Sequence, residues 1–461
     1  MANKNILTFN ARVSQVEQAY YSPVATLPPP ISLPISTIFC CLARIDPWTT
    51  ESDPDQPTDD QKYIKSFFKN IFVAKQITSN DISPVIQRIN WTTNTIYDYY
   101  QDDINMFELD SGGMFIKNFY IKNRYDQVFK CLWNNNNMES TSEPFFQPGT
   151  YNSNNIYAGD DGYMWKYMYT VDVGIKTKFM DASWLPVPVG QNTPGPVFDN
   201  NGNQIGAWAG NIDVINVLHG GSGYNPDLAP ITVSIVGDGT GATASVEVTA
   251  GVITRVFVTN PGINYSYANV TIVTTLGSGA VITAPISPIG GHGFDPVSEL
   301  GCSSVMFTAE FNGDEGGLVP IDIDYRQIGL LANPCTITSW PNPAGGLIYK
   351  CTTDLVVAPG FGVYTNDEIV YQGISLETAS FVAHVVSFDT ASNVVKLINI
   401  TGTLTTNSPV FGTTSKTART LLNYSTPELL PFSGYLSYIE NRQSIERSVD
   451  GIEQFKFVLG Y

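Results

Sequence analysis

Three acidic pairs carry the spacing most suggestive of chemistry: Asp160-Asp161, Asp314-Glu315, and Asp322 with Asp324. Two carboxylates across a scissile bond hydrolyse glycosides, and clustered carboxylate oxygens hold calcium. Asp322 and Asp324 stand two apart and share a face if the segment is a strand. A pair so close in sequence suits a solvent face or a calcium site better than an acid and a base. Asp160 and Asp161 lie in Gly159-Asp160-Asp161-Gly162, whose residue types favour a tight turn. Turn chemistry is the expected role there, with metal ligation as the alternative. The histidines, His219, His292 and His384, are scattered, and only an assumed fold gathers them into a zinc site. Gly220-Gly221-Ser222-Gly223 lacks the spacing of a nucleophile elbow. Gly237, Gly239 and Gly241 alternate with polar residues, but no helix is expected to follow and bind an anion, so a hairpin turn is expected. No Walker-type loop occurs. The sequence thus predicts no catalytic, cofactor-binding or metal-binding residues, and a protein that is not an enzyme.

The elements that would position such residues start with the acidic turn. It leads into Tyr163-Met164-Trp165-Lys166-Tyr167-Met168-Tyr169-Thr170. Strand alternation puts Tyr163, Trp165, Tyr167 and Tyr169 on one face, with Met164, Lys166 and Met168 on the other. Such an aromatic face needs a large partner surface, either a second sheet or another chain. Upstream, residues 37–42 are almost continuously apolar, as in a strand buried on both faces. Thr58, with Gln61 three residues on, reads as a capping box. It opens a helix whose Ile64, Phe67, Phe68, Ile71 and Phe72 form an apolar stripe, suited to covering a sheet. Residues 1–22 read as a short amphipathic helix with Val13, Val16 and Tyr20 on one face. The proline-rich stretch 23–34 reads as an extended connector.

Composition sets the broad class. Of 461 residues, 12% are aromatic and only 14% charged, against a usual share near ~25% charged. With 39 Gly and 29 Pro, many short strands are favoured over long helices. The formal net charge of −18 argues against a direct phosphate-backbone contact, which needs a field of Lys and Arg. The six cysteines form neither a disulfide framework nor a zinc pattern, and buried thiols are expected. No apolar run approaches the ~18 residues of a membrane span, and no signal peptide is expected at the N-terminus.

Residues 209–290 change character and become rich in Gly, Thr and Val. They contain a repeat: 217–224, ending in Tyr224, aligns with 258–265, ending in Tyr265. Each copy is followed by a strand and then a glycine turn. A second β-rich insert is expected over 345–421. The expected fold is mainly β with a minor α/β part, a multi-domain β-sandwich or barrel carrying inserted small β modules. The expected segments are a core region 1–208, the insert 209–290, core strands 291–344, the insert 345–421, and C-terminal core strands 422–461.

Six segments in order then resemble a known family. They are Thr37-Ile38-Phe39 through Arg44 to Pro47-Trp48; Val85-Ile86 with Arg88 and Trp91; Phe129-Lys130-Cys131-Leu132; Asp161-Gly162-Tyr163-Met164-Trp165-Lys166-Tyr167; Arg326-Gln327-Ile328 through Asn333-Pro334; and Ser433-Gly434 through Tyr438-Ile439-Glu440-Asn441-Arg442. Together they resemble the baseplate wedge subunit of contractile-tailed, T-even-type phages, known there as gene product eight. The resemblance implies a structural protein of the virion tail baseplate, assembled in the host cytoplasm. It implies a homodimer that contacts other wedge subunits, with no direct nucleic acid contact. The two inserts depart from the family, and surface decoration, stiffening of contacts or host-glycan binding are open roles for them. Tyr163, Trp165, Tyr167, Tyr438 and Arg442 are the expected interface residues, with core packing as the rival role for the aromatics. The alternative function is a glycan-binding or glycan-cleaving tail protein.

Overall fold

The computed structural model describes residues 9–21, 36–147, 156–189, 197–198, 204–206 and 210–461. The expected connector 23–34 lies outside them. The fold is mainly β, with several sheets, one closed barrel and a few short helices. The chain divides into two discontinuous units. One comprises Met1–Glu17, Ser83–Met306 and Leu459–Tyr461; the other comprises Gln18–Ile82 and Phe307–Val458.

In the first unit the aromatic strand is Met164–Thr170. It lies in an antiparallel sheet of order Tyr120–Lys122, Gln127–Trp133, Met164–Thr170, Ile156–Ala158. Tyr163 and Trp165 are fully buried, packed with Tyr97, Ile121, Phe129 and Cys131. The expected run of four aromatics on one face is broken at Met168. Tyr167 pairs Phe129 and Tyr169 pairs Val128, so Met168 is an extra residue in its strand. A bulge of this kind reverses the alternation beyond it. Tyr169 accordingly leaves the aromatic face, and its hydroxyl donates to the Pro186 carbonyl at 3.0 Å.

The repeat folds as a module whose core runs from Ile212 to Ile286. Three antiparallel pairs build it: Asn216–Ser222 with Ser278–Thr283, Thr232–Gly237 with Ala268–Val273, and Thr243–Thr249 with Val252–Asn260. Ala250 and Gly251 turn the last hairpin with positive φ of 51° and 77°, as a tight two-residue reversal requires. The two repeat tyrosines, Tyr224 and Tyr265, are buried. Each sits on the glycine turn that follows the other copy. A Cβ at Gly277 would stand 2.5 Å from the Tyr224 ring, and the Tyr224 hydroxyl accepts from Ala280 N at 3.1 Å. A Cβ at Gly239 would overlap the Tyr265 ring, and the Tyr265 hydroxyl accepts from Ala242 N at 3.4 Å. The copies are thus locked crosswise.

In the second unit a five-stranded antiparallel sheet has the order Ile348–Lys350, Ile71–Ile77, Ile38–Ala43, Ile323–Ala332, Tyr435–Arg447. Ile38–Ala43 is internal and buried along nearly its whole length. The helix Gln61–Asn70 packs Phe67 against Phe39, Cys41, Ala74 and Leu331. Its cap is Asp60 rather than Thr58: Asp60 accepts from Tyr63 N at 2.9 Å, and Thr58 Oγ1 donates to Asp60 at 2.6 Å. The expected stripe also ran past the helix end. The Asn70 amide donates to Ser66 O at 2.9 Å, and Ile71 and Phe72 open a strand. The β-branched and aromatic run Ile71-Phe72-Val73 suits a pleated, buried position.

Much of the second expected insert lies in a closed barrel of order Thr353–Val357, Val394–Gly402, Phe381–Asp389, Ile369–Gln372, Pro409–Gly412, Ala418–Ser425. Leu355, Val370, Val385, Leu397, Val410 and Leu421 fill it. Inward apolar residues stop at Leu421, while backbone pairing continues to Ser425 opposite Asp354. That is why the alternation in the sequence ends before the barrel does.

Candidate functional site

The acidic turn is a bonding hub. Asp161 Oδ2 accepts from Thr141 N at 2.8 Å, Ser142 N at 2.9 Å and Ser140 Oγ at 3.1 Å, and Oδ1 accepts from Tyr163 N at 3.1 Å. With both oxygens so occupied, the carboxylate fixes two loops instead of offering open metal positions. The Trp91 indole donates to Ser140 Oγ at 3.0 Å, which ties the motif segment at Trp91 to the one at Asp161. The four-asparagine loop joins the same assembly. Asn135, Asn136 and Asn137 take φ of 51°, 58° and 61°, a left-handed conformation that Asn tolerates. Their amides reach outward: Asn134 donates to Tyr97 O at 2.8 Å, Asn135 to Asp161 O at 3.0 Å and Asn136 to Val217 O at 2.9 Å.

Behind the aromatic sheet lies a buried ionic cluster that the sequence reading missed. Lys130 Nζ stands 3.1 Å from Glu299 Oε2, with both side chains at most 2% exposed. The ammonium lies 4.2 Å from the centre of the Tyr100 ring, a cation–π contact. His292 meets Tyr100 edge-on at 4.8 Å. Its Nδ1 lies 3.7 Å from Glu299 Oε2, too far for a hydrogen bond. Glu299 Oε1 accepts from Gly293 N at 2.8 Å and Asp295 N at 3.2 Å. Burial alone would raise the Glu299 pKa, but Lys130 and then His292 hold it down to about 2. Burial lowers the Lys130 pKa and Glu299 pulls it back up; at 3.1 Å the geometry is that of an ion pair. Burial also lowers the His292 pKa, and Lys130 adds to this. The one signal in the sequence was a lysine inside the apolar run Val128-Phe129-Lys130-Cys131-Leu132, because a charge there requires a buried partner.

The second unit has its own network, again among motif residues. Arg44, 4% exposed, bridges Asp324 Oδ1 at 2.8 Å and grips Asp367 through Nε at 2.5 Å and Nη2 at 2.6 Å. Arg326 meets Asp324 Oδ2 at 2.7 Å and Glu51 at 2.8 Å. Against the push of burial, the Ser444 hydroxyl and these two guanidiniums hold the Asp324 carboxyl below its usual range. Asp322 lies before the strand with φ 56°, so it does not share Asp324's strand face as expected. Glu315 pairs with Lys75 at 2.5 Å, and Asp314 accepts from Gly316 N at 3.0 Å within a turn. Gln327 donates to Tyr63 Oη and Asn441 Oδ1, each at 2.9 Å. The Trp48 indole donates to Arg442 O at 2.8 Å, and Ser444 N donates to Glu51 at 3.3 Å. These bonds occupy two backbone groups of Tyr435–Arg447, which ends its sheet. Pairing of that strand with Ile323–Ala332 also slips near Ser437 and between Asn441 and Ile445. Coverage and bulges are the usual protection of an edge.

The expected interface residues part company. Tyr163 and Trp165 have no exposed surface. This corrects their assignment to an interface: Tyr97 packs edge-on against Trp165 at 5.6 Å, so the aromatic face is covered within the unit. Tyr167 is half-buried and stacks on Phe146 at 3.9 Å. Tyr438 is half-buried against Phe457 at 5.4 Å. Arg442 is exposed and pairs with Glu440 at 2.7 Å. Tyr163, Trp165 and Tyr167 belong to the first unit, and Tyr438 and Arg442 to the second.

All six cysteines are free thiols, five of them buried. Among the described residues, no group of His, Cys, Asp or Glu could hold a metal ion. Among them, too, no helix is long and apolar enough to cross a membrane. Compared with protein-family models and with curated protein sequences, the chain matches none.

Proposed function

We propose that the chain is a non-enzymatic structural subunit of a phage tail baseplate wedge, forming a homodimer that joins neighbouring wedge proteins during tail assembly. The observation that carries this reading is where the resembling segments meet. Trp91, Cys131, Asp161 and Trp165 belong to one bonded and packed assembly in the first unit. Arg44, Trp48, Arg326, Gln327, Asn441 and Arg442 belong to another in the second. Residues so used fasten strands, which is what a load-carrying subunit needs. Density from an intact contractile tail tests the reading. The expected result is that this chain fits a dimeric position in the baseplate; a baseplate with every position accounted for by other chains refutes it.

A second reading, glycan binding, is favoured by one feature. A polar cleft of about 460 Å³ in the first unit is lined by Asp160, Glu247, Arg255 and Phe257, among others. Hydroxyl-pairing charges beside an aromatic ring suit a sugar. A glycan array probed with the full chain gives signal under this reading and none otherwise.

A further inference from the structure

The two ends of the repeat module converge on a buried pair of lysines. Lys130 and Lys166 stand opposite one another in neighbouring strands, so their side chains share one face of the sheet. Both are buried, and like charges so placed require counter-charges. Glu299 supplies one at 3.1 Å from Lys130. Asp213, at the module's entry, favours the charged form of both lysines. The exit segment 286–295 lies over the pair. At one end Tyr100 Oη donates to Ile286 O at 3.1 Å, and Ile286 N donates to Asp102 at 2.9 Å. At the other, Gly293 N and Asp295 N both donate to Glu299. Gly293 lies so near Lys166 that a Cβ there would stand 3.1 Å from Lys166 Cε. Entry and exit are also bonded to each other: Ser287 N donates to Asn211 O at 3.0 Å, and Asn211 N donates to Ser287 Oγ at 2.9 Å.

His292 sits inside this arrangement, its side chain 2% exposed and its Nδ1 without a hydrogen-bond partner. Tyr100, Lys130, Glu299 and Asp213 act on it, and Lys166 lies beside its neighbour Gly293. The two lysines are matched by the two carboxylates. A proton on His292 adds a third cation that none of these groups is left to balance, and an unmatched buried charge is costly. Burial and Lys130 together outweigh Glu299 and Asp213, and the imidazole pKa falls below its ordinary value.

We infer that His292 is a pH-sensitive latch on the exit segment of the repeat module: neutral, it lets 286–295 close over the lysine pair, and protonated, it loosens that segment. A ring that charges less readily in the closed state contributes stability that is present above its unfolded pKa of about 6.5 and is lost as pH falls through the depressed value. Glu299, held down to about 2, keeps its charge over that range. One unit below the free imidazole value, at about pH 5.5, opening of the segment rises by about tenfold at most.

Hydrogen exchange of the full chain at about pH 7.5 and about pH 5.5, each rate divided by its intrinsic value, tests the latch. Peptides from 286–300 lose protection by up to about tenfold at the lower pH, while those from the barrel strand Val394–Gly402 keep theirs. His292→Gln, uncharged at either pH, abolishes the loss. His219→Gln, at an exposed histidine, leaves it in place. A wild type that loses no protection, or a loss that persists in His292→Gln, overturns the latch. Because the glutamine can also weaken folding, imidazole NMR gives a reading with His292 intact. In a variant carrying His219→Gln and His384→Gln the remaining signal is that of His292. It titrates below about 6.5, in step with the loss of protection; titration at the ordinary value overturns the latch.

Discussion

The repeat module and the barrel use the same local vocabulary of short Val- and Thr-rich strands joined by glycine turns, yet they are held by different means. The barrel closes on itself, and a continuous set of side chains at most 2% exposed fills it, from Leu355 and Val357 through Val385 to Leu421. The module has three separate two-stranded pairs. Along Thr243–Thr249 exposed and half-buried residues alternate, with none buried. Its best-buried large side chains include the two tyrosines, each seated on a glycine turn of the other copy. A closed barrel spreads its stability over many contacts. An open module with a thin core must concentrate it at a few points. The module should therefore be brittle at its locks and tolerant elsewhere, and the barrel graded throughout.

The largest effect is expected at a lock. Gly277 combines φ 91° with a Cβ position 2.5 Å from the Tyr224 ring and 2.8 Å from Tyr224 N. Gly277→Ala adds a left-handed penalty of roughly 1–2 kcal/mol to overpacking of roughly 1–3 kcal/mol, about 4 kcal/mol in all. Gly279, two residues on, has φ 81° but nothing nearer than 3.8 Å to its Cβ position. Gly279→Ala should cost only the conformational part, about 1–2 kcal/mol. Hydrogen exchange read by mass spectrometry separates the regions. In Gly277→Ala, amides of Asn216–Ser222 and Ser278–Thr283 lose protection while the barrel keeps its own. Equal losses from both variants would show that the turn, and not the tyrosine seat, does the holding.

In the barrel, Leu397 is fully buried and belongs to the continuous core. Leu397→Ala should cost about 3 kcal/mol through lost burial and the cavity left behind. The loss should spread over all six barrel strands, because a closed sheet has no free end at which to open. Protection lost only in Val394–Gly402 would contradict a distributed core and make the two regions alike.

How much of this was readable beforehand depends on the length scale of the signal. Strands and the Tyr224/Tyr265 repeat were legible, because alternation and offset are local properties of the chain. The turn role of Asp161 was legible from its glycine neighbours. The crosswise seating of the tyrosines was not, since nothing in either copy says which glycine turn it will meet. The bulge at Met168 is likewise silent, being a property of the pairing with Val128 and Phe129. The end of the helix at Asn70 was lost because the apolar spacing of Ile71 and Phe72 continues a helical stripe by coincidence. Lys130 and Glu299 lie 169 residues apart, so only the fold makes them partners. The aromatic face of Tyr163 and Trp165 looked like an interface because its cover comes from Tyr97, in an irregular segment with no strand pattern to announce it.

The finest test of the crosswise lock removes single oxygens. Tyr224 Oη accepts from Ala280 N at 3.1 Å and Tyr265 Oη from Ala242 N at 3.4 Å. Both amides sit where a glycine turn opens into a strand and are part-buried, so losing the acceptor costs about 1 kcal/mol. Tyr224→Phe keeps the ring on Gly277 and deletes only the acceptor, so about 1 kcal/mol is expected, read as faster exchange of the Ala280 amide. The longer bond at Tyr265 should be worth less, and Tyr265→Phe should disturb the Ala242 amide more mildly. If the locks act as a pair, the double variant should exceed the sum of the singles, because each tyrosine braces the turn belonging to the other's repeat. Simple additivity would instead make the module two independent halves that share a core, and the contrast with the barrel would then rest on the glycines alone.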